Sequence, residues 1–559
     1  MIESAEYAQD SPISAQILHS RPRMLPTSPQ QQGNRMSITT EIDTSVAPEV
    51  RTAAGVVRGT WRTVKPGADG GAAASAAFLG IPFAEAPVGE LRFAAPVPKT
   101  PWQGVRDAVT HGATPQRQTL SEITLIPEPS IEGESTLNVN VFTPQPSAAS
   151  ALPVLVYIHG GGYTAGSPAS PWYDGAAFNR DGVVTVSISY RLGFDGFGYI
   201  DGAPHNRGVL DWLLALEWVQ ENIAEFGGDP SRVTIVGQSA GGGAVLTLLG
   251  MPSAQHLFHG VYSISGALGD VTAERAQALS QRLAELAGVE ATRAGFATLS
   301  EEQILTLQQK AQEPADGPLS PMDSIRSLAS EGLALGPMVD GVLIPRPTIE
   351  SITLGVGGDK PLVFGATDDE FSMALDEAKG KLRFVPKSML LGKAGLSKAV
   401  RKAYLAANPD VTRLGTAATF GRYLTDLMFR TFVLRLAAAR GVELLPGGSA
   451  PAPDAAAAAA GGTWIYRFSW RSPVFNYAMH CVDVPFFFDC LDSERIDALA
   501  GDAPPQALAD ELHAEAVAFV STGVAPWPRY TREARATRVF DVPAAVVADG
   551  YGSVRALLG

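Results

Sequence analysis

The chain has 559 residues, of which 45% are hydrophobic and 18% charged, and its formal net charge is −14. These proportions are ordinary for a folded globular protein, and the negative charge disfavours nucleic acid or an anionic membrane as a partner. Cys481 and Cys490 are the only cysteines, which excludes a disulfide framework and a four-thiolate metal site. Two reduced thiols are the favoured interpretation.

Two stretches differ sharply in composition from the rest of the chain. Residues 1–48 are rich in Ser, Pro, Gln and Thr and show neither helical nor strand periodicity, which predicts a disordered tail. We expect residues 49–559 to form a single domain, with the alanine-rich stretch 447–462 as a surface insertion. The N-terminus lacks the apolar block of a secretory signal, and no apolar run approaches the ~18 residues that span a bilayer. The prediction is a soluble cytoplasmic protein that does not engage a membrane.

Short apolar runs alternate with helical patterns through the chain. The predicted strands are 152–158, 183–189, 233–236, 362–365 and 463–469, and the predicted helical regions are 206–226, 276–286, 390–440 and 506–519. Continuous apolar runs indicate strands buried on both faces, as in a parallel sheet. The alternation therefore predicts an α/β fold with a central, mostly parallel sheet flanked by helices.

A candidate nucleophile lies between one of these strands and a helix. Ser239 is the centre of Gly237-Gln-Ser-Ala-Gly241, which follows the strand at 233–236. A serine on such a sharp turn projects its hydroxyl, and the crowded backbone tolerates almost no side chain two residues away on either side. The pattern predicts a nucleophile elbow.

An activated serine needs a histidine to take its proton and an acid to orient that histidine. In this architecture the chain order is serine, acid, histidine. Four histidines follow Ser239: His256, His259, His480 and His513. The first two come too soon after the serine, and the last lies within a predicted helix, where we expect it on the surface. His480 follows a predicted strand and is the favoured base.

The acid is less determined by the residues alone. The strand at 362–365 runs into Asp368, Asp369 and Glu370, and ligands of open α/β sheets meet the carboxyl ends of strands. Asp340 is a weaker rival. The pattern by itself leaves the choice among these carboxylates open.

Several ordered motifs resemble the type-B carboxylesterases, the family that includes cholinesterases and bacterial para-nitrobenzyl esterases. The resembling stretches are 78–93, 102–108, 137–144, 159–163, 189–193 and 222–230, followed by the elbow and by His480. The resemblance implies an α/β-hydrolase fold with helical insertions over the active site. It also implies a serine hydrolase that cleaves carboxylic esters through an acyl-enzyme, with no cofactor and no metal.

The same resemblance assigns roles to individual residues. It selects Glu370 as the acid, with Asp369 as the remaining alternative, and it supports His480 as the base. His159-Gly-Gly-Gly162 matches the family's oxyanion motif, and by this resemblance Gly161 and Gly162 donate backbone N–H groups together with Ala240. His159 itself is expected to be structural.

Differences from the family's motifs narrow the range of substrates that we expect. Thr114 and Ser135 stand where many secreted members have a pair of bridged cysteines, and the loop between them contains no aromatic residue. Cholinesterases place a tryptophan there to hold a quaternary ammonium, and usually have glutamate where this chain has Gln238. We therefore expect uncharged esters as substrates. A carbamate or anilide hydrolase with the same triad is the alternative, and a non-catalytic binding protein is a remote one. The sequence predicts neither the acyl chain length nor the alcohol group of the ester, and it does not predict the oligomeric state of the protein.

Overall fold

A computed structural model describes residues 44–66, 74–267, 269–313, 332–375, 378–445 and 461–558. The tail predicted over residues 1–48 falls outside the described residues up to position 43, and the insertion predicted over 447–462 falls outside them up to position 460. Both therefore stay predictions. From Thr44 onward the chain forms one compact unit.

A mixed sheet of 11 strands divides this unit. The strands of the structure are β1 (Glu49–Arg51), β2 (Val56–Arg58), β3 (Thr60–Thr63), β4 (Ala74–Pro82), β5 (Val105–Asp107), β6 (Asn138–Thr143), β7 (Leu152–Ile158), β8 (Val184–Ile188), β9 (Gly228–Gln238), β10 (Gly260–Ile264), β11 (Leu362–Thr367), β12 (Thr463–Phe468), β13 (Ala536–Phe540) and β14 (Ala545–Ala548). Their order in the large sheet is β14-β13-β12-β11-β10-β9-β7-β8-β6-β4-β3, and β1, β2 and β5 form a small separate sheet.

The middle of the large sheet is parallel and its two margins are antiparallel. All neighbours from β13 to β8 pair in parallel, whereas β14 at one margin and β6, β4 and β3 at the other pair antiparallel. The sequence therefore predicts the parallel centre correctly, and the antiparallel margins are an addition from the structure.

Helices cover both faces of the parallel centre. The α-helices are Ser121–Thr124, Ala176–Arg180, Gly193–Phe197, Arg207–Asn222, Ala240–Leu249, Ala273–Ala287, Arg293–Phe296, Glu301–Gln312, Thr348–Thr353, Lys379–Leu382, Lys387–Lys393, Lys398–Ala407, Pro409–Thr412, Thr416–Thr425, Thr431–Ala439, Val484–Phe487, Ile496–Ala500 and Gln506–Thr522. A π-helical turn, Asp426–Arg430, joins two of them. No helix in the described part of the chain is both long and apolar enough to cross a membrane.

Alternate side chains of one strand enter two different cores. On β7, Val156 and Ile158 belong to a core shared with the helix Ala240–Leu249, while Leu155 and Tyr157 belong to a core shared with the helix Gln506–Thr522. Successive strand residues point to opposite faces, so a strand that is covered on both sides must be apolar throughout. This is why β7 lacks a polar period in the sequence.

One expectation about a histidine is wrong. His513 was expected on a helix surface, but it is buried: Nδ1 lies 2.8 Å from the Phe487 carbonyl and Nε2 lies 3.1 Å from Asp181 Oδ2. The helix Gln506–Thr522 packs against the sheet along Ala509, Leu512, His513 and Ala516. The spacing of three and four residues places His513 on that inner face.

Candidate active site

The strand-to-helix turn around Ser239 has the backbone that its sequence pattern requires. Ser239 has φ +57° and ψ −123°, outside the regions that non-glycine residues usually occupy. A Cβ on Gly237 would lie 2.2 Å from the Gly241 carbonyl oxygen, and one on Gly241 would lie 2.0 Å from the Ile158 carbonyl oxygen. Both positions therefore require glycine for steric reasons.

Residues 239, 370 and 480 converge at the carboxyl ends of the central strands. His480 Nε2 lies 2.9 Å from Ser239 Oγ. The other ring nitrogen, Nδ1, forms a short hydrogen bond with Glu370 Oε2, and the N–H of Thr367 donates to Glu370 Oε1 at 2.8 Å. With the proton on Nδ1, as the bond to the carboxylate requires, the lone pair of Nε2 faces the serine hydroxyl.

The histidine and its carboxylate are withdrawn from solvent. His480 is 3% exposed and Glu370 is 0% exposed, and the rings of Phe371 and Phe429 lie 4.9 and 5.4 Å from the imidazole. Burial opposes the imidazolium and by itself lowers the pKa of His480, but the Cys481 sulfur and the Glu370 carboxylate outweigh it and raise the pKa well above its usual value. The carboxylate thus stabilises the charged form of the ring.

Backbone hydrogen bonds join the acid loop to the histidine loop. The N–H of Asp369 donates to the Ala478 carbonyl and the N–H of His480 donates to the Glu370 carbonyl, each at 2.9 Å. The Asp369 carboxylate strengthens this junction, because Oδ2 accepts the N–H of Ala478 at 3.3 Å and Oδ1 accepts Arg422 Nη2 at 3.1 Å. Asp369, the alternative acid of the sequence, is therefore directed to Arg422 and to the backbone of the histidine loop.

The other two candidate carboxylates also have partners of their own. Asp368 Oδ2 accepts Arg467 Nη2 at 2.7 Å, and although burial alone would raise its pKa, Arg467, Arg422 and Arg430 hold that pKa far below the usual value. Asp340 Oδ1 accepts the N–H groups of Val342 and Ile344 at 3.0 and 2.9 Å. Glu370 is the carboxylate that faces the imidazole.

The glycine motif lies beside the serine. β7 ends at Ile158, and the chain continues into His159-Gly160-Gly161-Gly162, where Gly161 has φ +113° and Gly162 has φ +60°. A Cβ on Gly160 would lie 3.1 Å from the Cβ of Ser239. No described residue accepts the N–H of Gly161 or Gly162. Ala240 begins its helix, so its N–H also has no acceptor within that helix.

His159 is a buried neighbour of the glycines. Its Nδ1 lies 2.8 Å from the Gly160 carbonyl, and its ring stacks on Tyr190 with the centroids 4.6 Å apart. Burial lowers its pKa to about 4, so the ring is neutral at pH 7. These contacts agree with the structural role expected of it.

Three groups lie around the histidine that no sequence pattern predicts to be there. Gln238 Nε2 lies 3.3 Å from His480 Nε2 and 3.2 Å from Cys481 Sγ. Cys481 is buried with φ +70°. Asp483 is also buried, and burial and the Glu370 charge raise its pKa to about 7. The position of Asp483 near His480 in the chain was the only available signal for it. Among the residues described, no three His, Cys, Asp or Glu side chains are arranged to hold a metal ion.

Known proteins resemble this chain over most of its length. The sequence model of the carboxylesterase family matches residues 46–539. A para-nitrobenzyl esterase of Bacillus subtilis (strain 168) is 32% identical over 83% of this chain and 90% of that enzyme. A cocaine esterase of Oryctolagus cuniculus is 33% identical over 70% of this chain and 74% of that protein. The structure of the carboxylesterase EST55 of Geobacillus stearothermophilus superposes with a TM-score of 0.73 at 31% identity, covering 91% of this chain and all of that one.

Proposed function

Because this chain belongs to the carboxylesterase family and is a carboxylic ester hydrolase of the α/β-hydrolase fold, we propose that Ser239 is its nucleophile, His480 its general base and Glu370 the orienting acid. The observation that carries the proposal is the continuous chain of contacts from Glu370 through both nitrogens of His480 to the serine hydroxyl. Each member has the chemistry that its position requires.

Acylation begins with the serine hydroxyl. His480 Nε2 takes the proton of Ser239 as Oγ attacks the ester carbonyl, and the ring becomes an imidazolium that the buried Glu370 carboxylate stabilises. The imidazolium then gives its proton to the departing alkoxide, which leaves as the alcohol. The acyl group remains on Ser239 as an ester.

Negative charge develops on the carbonyl oxygen during this attack. The N–H groups of Gly161, Gly162 and Ala240 form the oxyanion hole, since these donors have no acceptor among the described residues and lie beside the serine. Fixed donors need no reorganisation during the reaction, and the loss of one typically lowers turnover by ~10²–10³. Water then attacks the acyl-enzyme with His480 again as the base, and the carboxylic acid is released.

The substrates we infer are small uncharged esters. The loop between Thr114 and Ser135 contains no aromatic residue for a quaternary ammonium, and Gln238 adds no charge beside the nucleophile. A panel of esters of increasing acyl length, run beside aryl carbamates and anilides, tests this assignment. Faster turnover of a carbamate or an anilide than of every ester would favour the alternative substrate class.

The nucleophile itself is tested by Ser239→Ala. This variant should lose hydrolysis of a chromogenic short-chain ester and should not react with a fluorophosphonate probe, while Ser253→Ala, at an exposed serine, should keep both. Retained hydrolysis in purified Ser239→Ala would end the proposal for this residue. Failure of the parent enzyme to react with the probe would instead favour the non-catalytic alternative.

The proposal extends to the setting of the enzyme, which is cytoplasmic, with small-molecule esters and not nucleic acid as partners. Both cysteines are free thiols, as suits a reducing compartment. Fractionation of the native host should recover the enzyme with cytosolic markers after a high-salt wash. Recovery with extracellular or periplasmic markers would contradict this assignment.

A further inference from the structure

Basic residues are concentrated in one stretch of this acidic protein. Of the ten lysines in the chain, six lie between residues 379 and 402, together with Arg383 and Arg401, and the same interval contains no Asp or Glu. This interval, named the basic segment (residues 379–402), therefore contributes +8 to a chain whose net charge is −14. Asp376 and Glu377 precede it and partly offset its charge.

The basic segment has an apolar inner side and a cationic outer side. It contains the helices Lys379–Leu382 and Lys387–Lys393 and the start of Lys398–Ala407. Leu390 and Leu391 are buried in a small core with residues of the helix Thr416–Thr425. The outer side carries exposed cations at Lys379, Lys381, Arg383, Lys393, Lys398 and Lys402. The helices are thus anchored from within and present their charges to solvent.

The lysines of the basic segment differ from those elsewhere in the protein. Outside it, Lys65, Lys99 and Lys360 each pair with a carboxylate, and Lys310 is the exception. Within the part of the chain that the structure describes, five lysines of the segment pair with no carboxylate, namely Lys379, Lys381, Lys387, Lys398 and Lys402. Internal ion pairs therefore do not account for this concentration of charge.

Apolar side chains stand exposed among these cations. Phe384 is 76% exposed and Met389 is 46% exposed, and the Arg383 guanidinium lies 4.4 Å from the Phe384 ring centroid. Helical segments that combine lysines with exposed Phe or Leu are typical of protein segments that lie in the interface of a bilayer. There the apolar side chains enter the acyl boundary and the cations meet anionic headgroups.

We propose that the basic segment is a docking surface for an anionic phospholipid bilayer, on which the enzyme binds peripherally. The exposed Phe384 and Met389 favour a bilayer over an acidic polypeptide, because only the bilayer offers an apolar layer behind its charges. This revises the expectation drawn from net charge alone. At physiological ionic strength charges are screened beyond about 8 Å, so the local cations outweigh the distant acidic surface.

Sedimentation with vesicles tests the proposal. Vesicles of phosphatidylcholine with about 30 mol% phosphatidylglycerol have an anionic surface like that of a cytoplasmic leaflet. They should bind the full-length enzyme. Vesicles of phosphatidylcholine alone should bind it weakly, and added salt should release it. Each basic residue close to an anionic leaflet strengthens partitioning about five-fold. Lys379→Glu/Lys381→Glu should therefore weaken binding by at least about 25-fold.

Two further variants separate local contacts from net charge. Lys310→Glu/Arg435→Glu changes the net charge by the same amount at exposed positions outside the segment, and it should bind like the parent. Phe384→Ser should weaken binding while leaving its salt dependence unchanged, because it removes apolar insertion alone. Hydrolysis of a soluble ester should be unaltered in all three variants, which shows that they fold. That readout also makes a failure of docking distinguishable from a failure of the triad.

Several results would overturn the docking surface. They are absence of binding to the anionic vesicles even at low salt, equal binding to both kinds of vesicle, or equal weakening by the two double variants. Capture by polyglutamate without any vesicle binding would also overturn it, and would assign the segment to an acidic polypeptide.

Discussion

Replacing Asp369 by asparagine tests whether this carboxylate only positions the histidine loop while Glu370, beside it, is the acid of the proposed triad. Asp369 and Arg422 are both buried, and the Asp369 carboxylate joins Arg422 at 3.1 Å to the backbone of the histidine loop. Asparagine keeps the shape of the side chain and an oxygen for the N–H of Ala478. It removes the negative charge, so the guanidinium of Arg422 loses its nearest anion.

The structure sets the size of the effect. Removing one partner of a buried ion pair typically costs about 3–5 kcal/mol. Arg422 keeps a second carboxylate, Asp410, at 3.8 Å, but that side chain is 51% exposed. We therefore expect the lower end, about 3 kcal/mol of unfolding free energy, for Asp369→Asn. Turnover should fall only about ten-fold, because the backbone bond between His480 and Glu370 remains.

Urea unfolding and steady-state hydrolysis measure the two effects, and a double variant provides the control. Asp369→Asn/Arg422→Met removes both charges, so it should recover part of the stability lost in the single variant. Glu370→Gln is the matched catalytic control. It should lower turnover by about 10⁴, because an amide does not hold the histidine in the required tautomer.

Two results would contradict the roles assigned to Asp369 and Glu370. A loss of turnover in folded Asp369→Asn as large as that in Glu370→Gln would make Asp369 the catalytic acid. An unfolding free energy within about 0.5 kcal/mol of the parent would show that the ion pair with Arg422 contributes nothing.

Three further predictions concern the same region. The pKa of His480 is raised and the base must be neutral, so kcat/KM of the parent should rise with pH through an elevated pKa. Glu370→Gln removes the anion that favours the imidazolium, so this rise in kcat/KM should occur at lower pH in the variant. A rise at the same pH in both enzymes would argue against coupling between Glu370 and His480. Gly161→Ala should lower kcat by ~10² or more with a smaller change in KM, because its Cβ would lie 2.2 Å from the Ala165 carbonyl oxygen at φ +113°; unchanged kcat would remove Gly161 from the oxyanion hole. Burial raises the pKa of Asp483 to about 7, so ionisation of this carboxyl destabilises the fold as pH rises from about 4 to 7. In urea unfolding, the stability advantage of Asp483→Asn over the parent should therefore grow from pH 5 to 8, towards about 4 kcal/mol. An advantage that does not change with pH would contradict this prediction.

Much of the fold could be predicted because its signals are local. β7 has the predicted bounds of 152–158, and β9 and β11 contain the predicted strands and extend beyond them. The helix predicted over 206–226 is an α-helix over Arg207–Asn222 that ends in a tighter turn, Ile223–Phe226. Strand ends are less predictable, because pairing with neighbours extends a strand into polar residues such as Asp229 and Ser231 of β9.

The identity of the acid could not be predicted from local sequence patterns. Asp368, Asp369 and Glu370 are chemically alike and adjacent, so the residues alone left them as alternatives and the family resemblance selected Glu370. In the structure the three carboxylates turn to different partners: Asp368 to Arg467, Asp369 to Arg422, and Glu370 to His480. Those partners lie 99, 53 and 110 positions away along the chain, and no spacing rule reaches that far.

The central strands and the glycines that the turn at Ser239 needs could be predicted from the amino-acid sequence alone. Each of these depends on sterics or periodicity within a few residues. Three features depend on tertiary packing: the burial of His513, the link that Asp369 forms between the acid loop and the histidine loop, and the positions of Gln238 and Cys481 beside His480. Such contacts join segments that are distant in the chain, and packing rather than local preference brings those segments together.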